Sequence, residues 1–144
     1  MKTISQIFDT AFATKARRGW EFIFVIVDIH ETILLPTWSE ERSEEYYPLA
    51  KECLQMLSDM PDVYLIQWSS SSPENNNKYF NKFIEDDINF NDVNENSVVT
   101  STEYADFDSK LYMNVIMDDK AGFEPSDWIE LHAYLLKLKE ERNR

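Results

Sequence analysis

Three apolar runs in this chain each end on a polar group. Phe24-Val25-Ile26-Val27 leads into Asp28, Leu65-Ile66-Gln67-Trp68 into Ser69, and Asn114-Val115-Ile116-Met117 into the pair Asp118-Asp119, with Lys110 just upstream of the last run. If the runs form adjacent parallel strands, these groups gather at one edge of a sheet, where α/β proteins hold their ligands. Carboxylates are hard oxygen ligands suited to Mg²⁺, while a hydroxyl and an ammonium supply donors for phosphoryl oxygens. A divalent-metal and phosphate site is the chemistry this set of side chains can perform. His30, two residues past Asp28, is one of only two histidines; with an unperturbed value of ~6.5 it can give or take a proton near neutral pH.

The elements that must position these residues are written in the apolar periodicity. Ile4, Ile7, Phe8, Ala11 and Phe12 recur at helical spacing and predict a helix within residues 1–20, flanking the core. Phe22 to Val27 is apolar without alternation, the mark of a strand covered on both faces. Pro48 suits the first turn of a second helix, whose buried face is Leu49, Ala50, Cys53, Leu54 and Leu57 and which Met60-Pro61-Asp62 stops. Val63 to Trp68 reads as a strand, and Ser71 or Ser72 caps a helix opening at Pro73 with Tyr79, Phe80, Phe83 and Ile84 inward. Residues 86–109 are polar, with apolar islands at Ile88–Phe90 and Val98–Val99 and room for one short strand. Leu111 to Met117 reads as a further strand, and the last helix turns Trp128, Leu131, Leu135 and Leu138 inward. Strands alternating with helices predict one α/β domain over residues 1–144 with a mostly parallel sheet.

Composition narrows the partners. The 144 residues hold 43% apolar side chains, with four Trp, seven Tyr and nine Phe, enough for a continuous core. Fourteen basic against twenty-seven acidic residues give a net charge of −13, which repels a phosphate backbone and argues against nucleic acid as partner. The single Cys53 cannot form an intramolecular disulfide and reads as a small buried hydrophobe. No secretory signal and no membrane span is legible, so the expectation is a cytoplasmic protein without membrane attachment.

Order and strand context together resemble the haloacid dehalogenase (HAD) superfamily of phosphohydrolases over about residues 22–130. Its first motif, Asp-x-Asp-x-Thr after a buried strand, is matched by Asp28, His30 and Thr32. The second, a Ser or Thr ending the next strand, is matched by Ser69. The third, a Lys, is matched by Lys110, and the acidic pair by Asp118-Asp119. The resemblance implies a Rossmann-like sheet flanked by helices and a Mg²⁺-dependent phosphohydrolase. In it Asp28 would be the nucleophile, taking the phosphoryl group as an aspartyl phosphate. Asp28, Asp118 and the His30 backbone carbonyl would bind the metal, with Asp119 holding a metal-bound water. Ser69 and Lys110 would bind the phosphoryl group, and Thr32 would support the loop.

The departure is His30, which stands where most phosphatases of the family carry a second Asp that protonates the leaving oxygen. No glycine stands beside Thr32, where the sequence has Glu31. Three readings stay open: a working histidine acid/base, a slow or specialised phosphotransfer enzyme, and a HAD-like fold kept for binding without turnover. The intervals after Asp28 and after Asn89 have no room for a large cap domain. An open site of that kind admits large substrates, or needs a second copy or a protein partner to exclude water. The expected substrate is a nucleotide or another small phosphorylated metabolite, with a phosphoprotein or a nucleic-acid end as the alternative. Trp38 is a candidate to stack on a substrate ring, His132 reads as a helix boundary residue, and Gly122 serves a turn.

Overall fold

In a computed structural model of the protein, residues 2–36, 44–99 and 112–143 are described. Helix α1 (Ile4–Arg18) starts at Thr3, whose hydroxyl accepts the Gln6 N–H while the Gln6 side chain accepts the Thr3 N–H. Two donors that a helix start leaves orphaned are thereby satisfied. After α1 come β1 (Ile23–Asp28), α2 (Ala50–Asp59), β2 (Val63–Trp68), α3 (Pro73–Glu85), β3 (Asp92–Val93), β4 (Val115–Met117), a 3-10 turn (Asp119–Ala121) and α4 (Pro125–Arg142).

The four strands form one all-parallel sheet in the order β3-β2-β1-β4, which is the expected α/β architecture. No cap domain is present among the described residues. The chain steps outward from β1 through β2 to β3, then crosses back to place β4 on the other side of β1. The order therefore reverses between β1 and β4, the point where α/β sheets open a crevice at the carboxyl ends of their strands. Register is fixed on both sides, with Val27 opposite Met117 of β4 and Asp28 opposite Trp68 of β2.

Side chains alternate across β1. Ile23, Val25 and Val27 join Val63, Leu65, Val115, Met117 and residues from all four helices in one buried cluster. Helices α2 and α3 both pack into this cluster, and α4 packs against α1 and α2. Phe24, Ile26 and Ile66 are equally buried but lie outside that cluster. On their face Phe24 meets the rings of Phe22, Tyr64 and Tyr112. The apolar run of β1 thus needs no alternation because both of its faces are covered.

Several boundaries differ from the periodicity reading, each for a local reason. Strand β1 begins at Ile23, whose N–H donates to the Asp62 carbonyl, and it runs one residue further to include Asp28. Helix α2 opens at Ala50 rather than at Pro48, because Leu49 sits at φ 67° and breaks the helical path. Strand β4 is only Val115–Met117, because the Asn114 side chain accepts the Phe24 N–H at 2.7 Å. Leu111 lies outside the described residues. The short strand falls at Asp92–Val93, between the two expected islands. Asn91 and Asn94 flank it, and their side-chain oxygens accept the N–H groups of Leu65 and Ser69. On α3 Tyr79 and Phe83 are buried as expected, but Ile84 is 43% exposed, and Leu138 of α4 is only half-buried.

Leu65 is fully buried at the centre of the sheet. Leu65→Ala is expected to cost about 2–5 kcal/mol in chemical denaturation. Ile84→Ala, despite its apolar spacing, is expected to change stability by less than about 0.5 kcal/mol. Equal losses at the two positions would contradict the packing described.

Candidate functional site

Asp28 ends β1, and Asp118 and Asp119 follow β4 directly, so the pairing of these strands delivers three carboxylates to the crevice at the β1/β4 reversal. All three are half-buried, and they offer oxygen atoms within 4.8 Å of one another. The Asp118 side chain accepts the Lys120 N–H at 2.9 Å, which starts the 3-10 turn. That turn closes at Gly122, at φ 97°, where a side chain would be strained, so the turn expected after the acidic pair is present.

Thr32 joins the carboxylates. It is 2% exposed, and its hydroxyl lies 3.3 Å from both Asp28 Oδ2 and Asp119 Oδ1 while accepting the Asp119 N–H at 2.9 Å. Its carbonyl accepts the indole N–H of the buried Trp128 at 2.8 Å. Between Asp28 and Thr32 the chain turns tightly, with the N–H groups of Ile33 and Leu34 on the Ile29 carbonyl. Glu31 takes φ 61° in this turn, the left-handed conformation that glycine would adopt freely. The loop therefore keeps a glycine-like shape without a glycine.

Burial first, then the negative charge of Asp118 and the hydrogen bond and charge of Asp119, raise the Asp28 carboxyl from 3.8 to about 7, against a smaller lowering by Thr32. Desolvation and like charge both disfavour the carboxylate. A divalent cation among the three oxygens would supply the missing positive charge, and hard carboxylate oxygens are the donors Mg²⁺ takes. The donor set fits such an ion, with Asp28, Asp118 and Asp119 as the side chains able to hold it.

Ser69 follows the register partner of Asp28 on the neighbouring strand and is 5% exposed. Asn94 fixes its backbone twice, accepting its N–H and donating to its carbonyl, each at 2.8 Å. His30 is not among the clustered carboxylates. Its Nε2 lies 3.0 Å from the Ser71 hydroxyl, and its ring meets Tyr79 edge-on at 5.3 Å. Lys110 and Trp38 lie outside the described residues. Cys53 is buried with its Sγ donating to the Trp128 carbonyl, and burial pushes its thiol up to about 12, so it is a packing residue. His132 is half-buried on α4, in keeping with a boundary position.

Three contributors escaped the sequence reading. Ser71 was legible only as a helix cap, a role that Ser72 fills by accepting the Asn75 N–H. Asn94 sits in a polar stretch where nothing marks it out. Trp128 reads as a core residue, with no signal of its bond to Thr32.

No family model matches the chain, and no curated protein matches it. The solved structure of a conserved protein from Bacteroides thetaiotaomicron is similar to it. That likeness spans 82% of this chain and 92% of the other, at 25% sequence identity and a TM-score of 0.63. The likeness supports the α/β architecture. No helix among the described residues is long and apolar enough to cross a membrane.

Because the folded value of Asp28 lies above its unfolded one, its ionisation costs stability as pH rises from ~4 to about 7, and the cost persists above that. In the presence of a chelator, Asp28→Asn is expected to raise stability above pH ~7 by roughly 1–2 kcal/mol, discounted because the carboxyl is half-exposed, and to add nothing near pH ~4. Thermal melts at the two pH values check this, and a lower midpoint for the variant at the higher pH would contradict it.

Proposed function

We propose that this protein is a cytoplasmic, Mg²⁺-dependent phosphohydrolase of the HAD type, in a minimal form without a cap. It would act on the phosphomonoester of a nucleotide or another small metabolite. The observation that carries the reading is the convergence of Asp28, Asp118 and Asp119 at the reversal point of a parallel sheet. The turn at Glu31 supports it, since Glu31 takes the left-handed conformation open to glycine at the position where the sequence departs from the family pattern.

In this reading Asp28 attacks phosphorus and becomes an aspartyl phosphate, while the leaving oxygen departs on the opposite side. His30 gives that oxygen a proton and then takes one from the water that hydrolyses the acyl phosphate, returning Asp28 as a carboxylate. Ser69 and Lys110 bind phosphoryl oxygens, and Thr32 holds Asp28 and Asp119 in place. Asp28, Asp118, Asp119 and the His30 carbonyl would hold Mg²⁺, which supplies charge neutralisation so that one anion can approach another. The substrate would be small and phosphorylated, with a second copy or a protein partner covering the open site. The net charge of −13 weighs against polynucleotides.

Mg²⁺ is expected to raise the melting temperature at neutral pH by an amount that grows with its concentration, and Asp118→Asn to abolish most of that rise. A rise that persists undiminished in the variant would place the metal elsewhere. With an aryl phosphate and Mg²⁺, Asp28→Asn is expected to lower kcat by at least about a thousandfold. His30→Ala should lower it by roughly 10²–10⁴. Metal-dependent turnover that survives Asp28→Asn would refute the reading. An inert wild type that gains activity on His30→Asp would favour a binding domain instead.

A further inference from the structure

The four serines of Ser69 to Ser72 have separate tasks. Ser69 is buried at the end of β2, and Ser72 caps α3. Ser71 stands between Ser69 and His30. The Ser69 hydroxyl donates to Ser71 Oγ at 3.0 Å, the Ser71 N–H donates to Ser69 Oγ at 3.1 Å, and Ser71 Oγ lies 3.0 Å from His30 Nε2. The Ser71 carbonyl accepts from the side chain of Asn76, a buried residue of α3, at 3.1 Å. Its backbone is therefore held at both ends, and its hydroxyl is a fixed point rather than a free rotor on a loop.

We infer that Ser71 is a positioning residue that holds His30 by Nε2 and leaves Nδ1 as the nitrogen offered to the substrate. The inference rests on the phosphohydrolase reading above. A hydroxyl has one proton to give. Ser69 gives its own to Ser71 until a phosphoryl oxygen claims it, and in either state Ser71 is free to give its proton to Nε2, so that a neutral His30 carries its proton on Nδ1. This is the opposite of the tautomer that free histidine prefers. Among the described residues Nδ1 has no hydrogen bond, and the edge of the 3%-exposed Tyr79 fixes the ring plane. Hydrogen bonding at one ring nitrogen decides which proton the other carries. His30 is thereby tied to the same turn that carries Ser69, so the proton-transfer group and the phosphoryl-binding group move as one unit.

The test uses nitrogen NMR of the full chain with isotope-labelled histidine, at a pH about two units above the usual histidine value of ~6.5. His132 serves as the internal reference. In wild type, His30 is expected to show a protonated Nδ1 and a bare, hydrogen-bonded Nε2. Ser71→Ala should return it to the pattern of His132, and Ser71→Thr, which keeps the hydroxyl, should preserve it. With Mg²⁺ and an aryl phosphate, Ser71→Ala should lower kcat about 10–100-fold with KM changed less than about threefold, and Ser71→Thr should restore it. A wild-type His30 protonated mainly on Nε2, or ring signals and kcat unmoved by Ser71→Ala, would overturn the inference. Absence of turnover in every protein, wild type included, would overturn the phosphohydrolase reading alone, because the ring signals still decide whether Ser71 holds His30.

Discussion

Three carboxylates held within 4.8 Å of one another repel, and the rest of the fold is arranged to keep them there. The repulsion acts in a half-buried setting, where water screens it less than at an open surface. What opposes it is the pairing of β1 with β4, backed by the pairing of β1 with β2 along its whole length. Both faces of β1 are covered, so its position is among the least adjustable in the molecule. Like charge is concentrated where the backbone can least relax away from it.

Thr32 translates that rigidity into side-chain geometry. Its hydroxyl touches a carboxylate from each of the two strands and accepts the N–H of Asp119, while its carbonyl is anchored on Trp128. Trp128 is fully buried and packs edge-on against Phe123 at 4.9 Å. The loop after Asp28 is thus braced from below by the core, and it accepts a left-handed Glu31 in return. Backbone strain of this kind persists only where the surroundings over-determine the conformation.

Much of this was legible in the sequence, and the limits have physical causes. Long apolar runs fix strands well, so β2 falls on Val63–Trp68 as read and β1 is displaced by one residue. The candidate carboxylates were legible because each ends such a run, and they do meet. Short edge strands are decided by other forces. At β3 and β4 asparagine side chains take over ladder hydrogen bonds, and an asparagine in a polar stretch looks the same whether it does this or faces solvent. The hold of Ser71 on His30 links two residues 41 positions apart through a single hydroxyl, and periodicity carries no information about such a contact. Ile84 shows the converse error, since apolar spacing on a helix does not say how wide the covered face is.

The braces on the first loop come from late in the chain: Asp119 and Trp128 follow Thr32 by 87 and 96 residues. During synthesis, which proceeds from the N-terminus at about 5–20 residues per second, β1 and its loop leave the ribosome well before either partner exists. A nascent chain therefore carries Asp28 before Asp118 and Asp119 exist. Assembly of the acidic crevice therefore waits until Asp119 and Trp128 have been made, which delays any capture of a cation there to that point.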